Sequence, residues 1–186
     1  MLQIKSTALK STLNYIKIKL NEEERIKLNT ILSEPSREIF QKPLLSGNWY
    51  DVNLLVEIMS KVVEIIKRDP KEVWWEMGRH SCDDGLSTVY KIFYKLGNPE
   101  FIIKRAGQVW NNYYTEGEFF VVSHSFNNAH VKIKNINFSH ICICTRISGW
   151  MERAIELSGG KNVILKHSLC KFEGGEVEEW KANWDF

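Results

Sequence analysis

Cysteine side chains in the second half of the chain are the residues best suited to bind a metal ion. Cys142, Cys144 and Cys170 are candidate ligands, because a structural zinc site needs four ligands and normally takes them from Cys or His. Cys142 and Cys144 are two residues apart, so on a regular helix their side chains point about 200° apart. They could share an ion only if the helix began between them. Two interpretations stay open, a metal site and buried, inert thiols.

His167 is a second candidate for chemistry. Alternation with a period of two places it on one strand face with Val163, Leu165 and Leu169, and places Cys170 on the other face. His167 is therefore predicted to point inward. It either makes a polar contact inside a cavity or is satisfied by a backbone carbonyl in the core.

Small residues interrupt an aromatic row in the middle of the chain. Asp69-Pro70 starts a predicted helix that runs to about Leu96. At 100° per residue, one face of this helix carries Trp75, Gly78, Cys82, Leu86 and Phe93. Small residues on such a face either let another helix approach closely or leave volume for a ligand.

The following helix adds aromatic residues that could line the same volume. Asn98-Pro99-Glu100 repeats the start signal, and Trp110 and Tyr113 lie on the inward face, with Tyr114 next to them. A tyrosine hydroxyl would orient a mostly apolar ligand, although such rings also build ordinary cores. The candidate ligand-binding residues are therefore Trp75, Gly78, Cys82, Leu86, Phe93, Trp110, Tyr113, Tyr114 and His167.

The sequence favours a binding module over an enzyme. Asp83 and Asp84 are adjacent and diverge on a helix, so they do not form a general acid and base pair. His80 projects away from the face of Gly78 and Cys82, which predicts a surface position. Phosphate loops, dinucleotide fingerprints, nucleophile elbows and metalloprotease helices are absent from the sequence, and no catalytic residue is assigned.

The elements that must position these residues predict an α+β fold. Helical spacing dominates residues 1–47 and 48–115, with a capping box at Asn21 and Glu24 and a cap at Asp51. From Gly117 the period changes to two, which predicts an antiparallel sheet of two hairpins separated by a helix within 116–186. A helical N-terminal half should pack on this sheet, and we expect one domain over 1–186.

Composition excludes several function classes. A net charge of +2 and a charged fraction of 26% provide no concentrated basic face, so nucleic acid is not an expected partner. The longest apolar runs are too short for a membrane span, and Met1 to Lys10 do not read as a signal peptide. Four cysteines are too few for a secreted disulfide framework, so a cytoplasmic location is expected.

Several strings resemble a known family. They run from Asn48-Trp49-Tyr50 to Leu96-Gly97-Asn98-Pro99-Glu100-Phe101, and include Ser148-Gly149-Trp150-Met151-Glu152-Arg153-Ala154, Gly160-Lys161-Asn162-Val163, and the closing segment from Glu179 to Trp184. They resemble an uncharacterised bacterial family with many myxobacterial paralogues. That family is grouped with the 4-vinyl reductase domain and the heme-NO-binding fold. The resemblance implies a hydrophobic cavity between helices and sheet.

The same resemblance bears on cofactors. Aromatic-responsive activators of this superfamily bind zinc through cysteines on the late helix and on both sides of the final hairpin turn. Here Cys142 or Cys144 and Cys170 match the first two, but the third position falls at about Val177. Heme-binding relatives use a helix histidine and a Tyr-x-Ser-x-Arg string, which this sequence lacks. The expectation is that heme is not supported, and zinc stays open.

Together these features predict a sensor or carrier that holds a hydrophobic or aromatic small molecule. Because no output domain is evident, a homodimer or a signalling partner protein is expected. Two alternatives stay open. One is a protein-protein interaction scaffold with a collapsed cavity, and the other is an auxiliary protein of tetrapyrrole chemistry.

Overall fold

A computed structural model of the protein describes residues 1–88 and 99–186, except the side chains of 86–88. The N-terminal part contains β1 (Gln3–Lys5), α1 (Ser6–Lys19), α2 (Glu22–Ile31), α3 (Glu34–Gln41), β2 (Trp49–Asp51), α4 (Val52–Ile66) and α5 (Pro70–Thr88). After the gap come α6 (Pro99–Ile103), α7 (Ala106–Tyr113), β3 (Glu118–Ser125), β4 (Asn128–Lys134), α8 (Ile141–Leu157), β5 (Lys161–Leu169) and β6 (Glu178–Asp185).

Local capping starts the N-terminal helices where the sequence indicates. The Asn21 side chain accepts from the backbone N–H of Glu24, and the Glu24 carboxylate accepts from the backbone N–H of Asn21. Asp51 caps α4 in the same manner through the backbone N–H of Asn53. Two features were not anticipated, namely the helix α3 and the antiparallel pairing of the three-residue strands β1 and β2.

The sheet has the strand order β3-β4-β6-β5 and is antiparallel throughout. Helix α8 connects β4 to β5, so the predicted α+β architecture of two hairpins separated by a helix is confirmed. Alternation puts Ala129, Val131 and Ile133 of β4 on the buried face, and β6 does the same with Trp180 and Ala182. This face of the sheet is turned toward the helices.

Helices α5 and α8 cross at very short distance because a glycine lies at the crossing on each side. A Cβ atom at Gly78 would overlap the carbonyl oxygen of Arg146, and one at Gly149 would overlap the carbonyl oxygen of Trp75. Around the crossing, the Arg79 guanidinium bridges the carboxylates of Glu152 and Glu156. The crossing fixes the helix layer that covers the sheet.

Among the helices of residues 1–88 and 99–186, we find none that is both long enough and apolar enough to cross a bilayer.

Candidate functional site: an apolar cavity and a cluster of metal-ligating side chains

A cavity lies between the sheet and helices α6, α7 and α8. The space in it that is open to water-sized molecules measures about 100 Å³, and all of its empty space, including the opening to solvent, measures about 900 Å³. The helix side is formed by Ser81, Ile102, Ile103, Ala106, Val109, Trp110, Tyr113, Tyr114, Arg146, Ile147, Trp150, Met151, Ala154 and Ile155. The sheet side is formed by Phe119, Ala129, Val131, Leu165, Trp180 and Ala182.

The space is left open by four alanines that approach one another from different elements. Ala129 and Ala182 are direct partners across β4 and β6, and Ala106 and Ala154 lie above them on α7 and α8. A methyl group at each position leaves the neighbouring rings without atoms to touch, which is how packed interiors acquire voids. Spacing within any one element does not reveal this arrangement.

Aromatic rings of α7 form one wall. Trp110 and Tyr114 are stacked with their ring centroids 4.1 Å apart, and the Trp110 indole N–H donates to the carbonyl oxygens of Glu116 and Gly117 at 3.0 and 3.1 Å. The ring of Tyr113 approaches that of Trp150 edge-on at 6.4 Å. The indole N–H is therefore satisfied by backbone carbonyls that do not line the cavity, and the ring offers the cavity an apolar surface.

Arg146 is the one charged residue among the described residues of the wall. Its Nη2 atom donates to the Ser81 hydroxyl at 2.7 Å and lies 3.5 Å from the Ala8 carbonyl oxygen. The guanidinium also lies near the Tyr114 hydroxyl. Burial raises the pKa of Tyr114, and the Arg146 charge opposes part of that rise. The phenol is therefore neutral at physiological pH.

The candidate ligand-binding residues are distributed over several places. Trp110, Tyr113 and Tyr114 line the cavity. Gly78 lies at the crossing with α8, Trp75 packs over Arg79 with 4.6 Å between guanidinium carbon and ring centroid, and Cys82 is fully buried beside a second apolar cluster. The side chain of Leu86 and all of Phe93 fall outside the described residues. Whether any of them binds a ligand stays a prediction.

A second arrangement with chemical potential lies where α8 meets the final hairpin. Cys144, His167, Cys170 and Glu178 each offer a ligand atom, and these atoms all lie within 4.8 Å of one another. Cys144, Cys170 and Glu178 are buried, and His167 is partly buried. Cys142 is also buried but is not part of this cluster, as expected from the divergence of two side chains two residues apart on α8.

Hydrogen bonds already orient the cluster. The Glu178 carboxylate accepts from the Ser139 hydroxyl at 2.6 Å and is paired with His167 Nε2 at 2.9 Å. Burial alone would raise the pKa of Glu178, but the hydrogen bonds from His167 and Ser139 keep it below its ordinary value. The ring of His167 stacks on Trp180 with centroids 4.4 Å apart. The hydrogen-bond partner of His167 is therefore the Glu178 carboxylate and not a backbone carbonyl.

Strict alternation separated His167 from Cys170, whereas the structure brings them together. The pairing of β5 with β6 shifts its register between His167 and Leu169, and this irregularity brings both residues to the same cluster. The resemblance implies a third cysteine at about Val177, which this sequence lacks. Glu178, the next residue, supplies a carboxylate instead. Neither the shift nor the replacement could be read from a pattern of cysteines.

Comparison with solved structures identifies the fold. A mutant Fe(II) unliganded H-NOX protein from K. algicida matches with a TM-score of 0.74 at 15% identity, covering 98% of this chain and 97% of that chain. An H-NOX protein from S. oneidensis in the Fe(II)NO state gives 0.75 at 12% identity, covering 98% and 99%. The heme-NO-binding-like fold is therefore confirmed. No family model matches the sequence, and neither does any curated protein.

The expectation that heme is not supported is wrong. It rested on the absence of a Tyr-x-Ser-x-Arg string, whereas the similar solved structures are H-NOX proteins in Fe(II) states. A further similar structure, from a study of heme redox potential and porphyrin distortion, gives a TM-score of 0.69 at 10% identity and covers 96% of this chain and 99% of that chain.

The cavity fits several requirements of a heme. Its apolar, aromatic walls suit a porphyrin ring, and Arg146 suits a propionate. Tyr113, Tyr114 and Met151 carry phenol or thioether groups, which serve as iron ligands in some heme proteins. No described histidine lines the cavity, and residues 86–98 contain none. Among the described residues of the cavity wall, these three would be the candidates to hold a bound heme.

Proposed function

We propose that this protein binds an apolar, ring-containing small molecule in the cavity between α6, α7, α8 and the sheet, and acts as a sensor or carrier. The proposal depends on the composition of the wall: in the part of the chain that the structure describes, it is almost entirely apolar and aromatic and contains a single charged group. Ligand pockets typically combine such walls with a few convergent polar groups.

Size restricts the ligand. A cavity volume of about 100 Å³ is smaller than an engineered cavity of about 150 Å³ that binds benzene. A single ring therefore needs a small expansion, and a porphyrin needs the open groove as well. A one-ring compound therefore needs less expansion of the cavity than heme does. Heme is the candidate suggested by the similar folds.

A retained or added ligand tests the proposal. Native mass spectrometry of the purified protein should show an extra small-molecule mass, or fluorescence of the cavity tryptophans should change saturably when one-ring compounds are added. Hemin is tested separately by absorbance, where a red-shifted band that saturates at one equivalent supports heme. Failure of every probe, with no retained mass, contradicts a binding function and favours a scaffold with a collapsed cavity.

A cavity-filling variant localises the binding. Ala182→Leu places a larger side chain on the sheet wall, and affinity should fall by at least about tenfold, which corresponds to a loss of about 1.4 kcal/mol or more of contact. Lys181→Leu is the matched control, because Lys181 is the neighbouring exposed residue of β6. Equal affinity in both variants would place the ligand elsewhere.

We also propose that Cys144, His167, Cys170 and Glu178 bind one zinc ion that ties the first turn of α8 to the final hairpin. All four residue types are zinc ligands, and four protein ligands are the usual number in a structural site. Metal analysis of protein purified without chelators should give about one zinc per chain. Cys170→Ser should lose the metal and Cys142→Ser should keep it, because Cys142 lies outside the cluster. Zinc retained by Cys170→Ser would contradict the assignment.

We also propose that the protein is cytoplasmic and forms a homodimer. Analytical ultracentrifugation with and without ligand would show whether self-association occurs and whether it responds to occupancy.

A further inference from the structure

We infer that the ligand of the cavity carries an anionic head group, of the carboxylate class, that pairs with Arg146. This inference rests on the proposed binding function and specifies the class of molecule bound. It concerns a buried charge for which the described residues provide no acidic partner.

Arg146 is buried and lacks an acidic partner. Its exposed fraction is 3%. Two other arginines of this helix layer have acidic partners, Arg79 with Glu152 and Arg153 with Asp83, but among the described ion pairs none involves Arg146. Residues 86–98, whose side chains are not described, contain no Asp or Glu. The chain therefore provides no acid there either.

The hydrogen bonds of Arg146 leave part of the guanidinium unused. Nη2 reaches Ser81 and Ala8, and the guanidinium lies near the Tyr114 hydroxyl. The Nε atom is buried and has no hydrogen-bond partner among the described residues. Since a guanidinium has five N–H donors in a fixed fork, an oxygen of a ligand has a donor available.

The known contacts of Arg146 do not balance its charge. Ser81, Ala8 and Tyr114 offer neutral oxygens, because burial raises the pKa of Tyr114. A cation removed from water is costly unless it is both paired and hydrogen-bonded. A role as a tether between α8 and α1 would be filled equally well by an uncharged donor. A carboxylate satisfies Nε and the charge together, and arginine is well suited to such forked contacts.

The remaining wall defines the rest of the ligand. Around Arg146 the cavity is lined by Ile147, Trp150, Met151 and the alanines of the sheet. A hydrated, highly polar anion would lose water here without compensation. The class is therefore a carboxylic acid with an aromatic or short aliphatic body.

Matched pairs of acids and neutral amides test this inference. Benzoate with benzamide, phenylacetate with phenylacetamide, and octanoate with octanamide are titrated at neutral pH by calorimetry or tryptophan fluorescence. The wild-type protein should bind at least one acid about ten- to a hundredfold more tightly than its amide, the range of hydrogen bonds to charged groups. If no acid is preferred, the inference is overturned.

Variants assign the preference to Arg146. Arg146→Met should bring the acid-to-amide ratio close to one while amide binding persists, and Arg153→Met, on the same helix, should keep the wild-type ratio. Arg146→Lys, which keeps the charge, serves if the methionine variant does not fold, and it should retain a preference for the acid. A preference that survives Arg146→Met, or is lost in Arg146→Lys, overturns the inference.

The two proposals fail in different ways. If amides and acids bind equally and Ala182→Leu abolishes both, the cavity binds ligands but the anionic head group is wrong. If no probe binds and no small molecule is retained, the binding function itself is wrong.

Discussion

Replacing Gly78 by alanine should be among the most destabilising single methyl additions in this protein. The new Cβ would lie 2.9 Å from both the carbonyl carbon of Arg146 and the amide nitrogen of Trp150, and would overlap the Arg146 carbonyl oxygen. Comfortable contacts between carbons are about 3.5–4.0 Å, so the two 2.9 Å contacts alone require α5 and α8 to separate by roughly 0.6–1 Å, and the deeper overlap with the Arg146 oxygen requires more. Backbone atoms have no other rotamer to adopt.

The expected cost follows from overpacking. Inserted methyl groups typically cost about 1–3 kcal/mol, and a backbone clash belongs at the upper end of that range. For a chain of this size, about 3 kcal/mol lowers the unfolding midpoint by roughly 6–12 °C. Thermal or urea unfolding followed by circular dichroism measures the change.

Gly107→Ala is the matched control for this experiment. Gly107 lies in α7, and the nearest atom to its added Cβ is the Phe119 carbonyl oxygen at 3.4 Å. Alanine should therefore be neutral or should stabilise the helix by about 0.5–1 kcal/mol. An unfolding midpoint of Gly78→Ala within a degree of wild type would refute the close crossing of α5 and α8.

Two further predictions concern the N-terminal helices. Glu76 accepts hydrogen bonds from Arg68 at 2.7 Å and from the Tyr15 hydroxyl at 2.8 Å, which lower the pKa of its carboxyl below 4.5. A carboxyl whose pKa is lowered in the folded state stabilises the fold at pH values above its pKa in the unfolded chain. This stabilisation is lost as the pH falls through the pKa of the folded state. The stability difference between wild type and Glu76→Gln should therefore shrink from pH 7 to pH 3, and a constant difference in urea titrations would argue against this ion pair. Asn21→Ala removes the capping box of α2 and should cost about 1 kcal/mol in the same titrations, whereas no measurable change would mean that solvent replaces the cap.

Local chemistry made the helix starts and the strands predictable. The Asn21 and Asp51 caps depend on residues two or three positions apart, and the alternation in β4 and β6 follows from burial of one face. The pairing of β1 with β2 was not predictable in this manner, because it joins three-residue segments more than forty residues apart. Short strands carry too little periodicity to be recognised.

The candidate site was predicted less well than the fold. Tyr113 and Trp110 were named from their helical face and do line the cavity. The volume itself depends on alanines of four separate elements, and its charge depends on Arg146, which helical spacing alone would place among ordinary polar positions. The metal cluster depends on a register irregularity near His167. These features arise from tertiary contacts, so a single sequence contains no local signal for them.

The crossing of α5 and α8 determines which side of the cavity can adapt. The turn of α8 that carries Arg146 has its carbonyl oxygen against Gly78 and its side chain directed into the cavity, so it cannot slide or rotate without a clash. Expansion for a larger guest must then come from α6 and α7, which are five and eight residues long. Occupancy would be reported outward through these two short helices, and a partner that responds to it should contact that flank of the molecule.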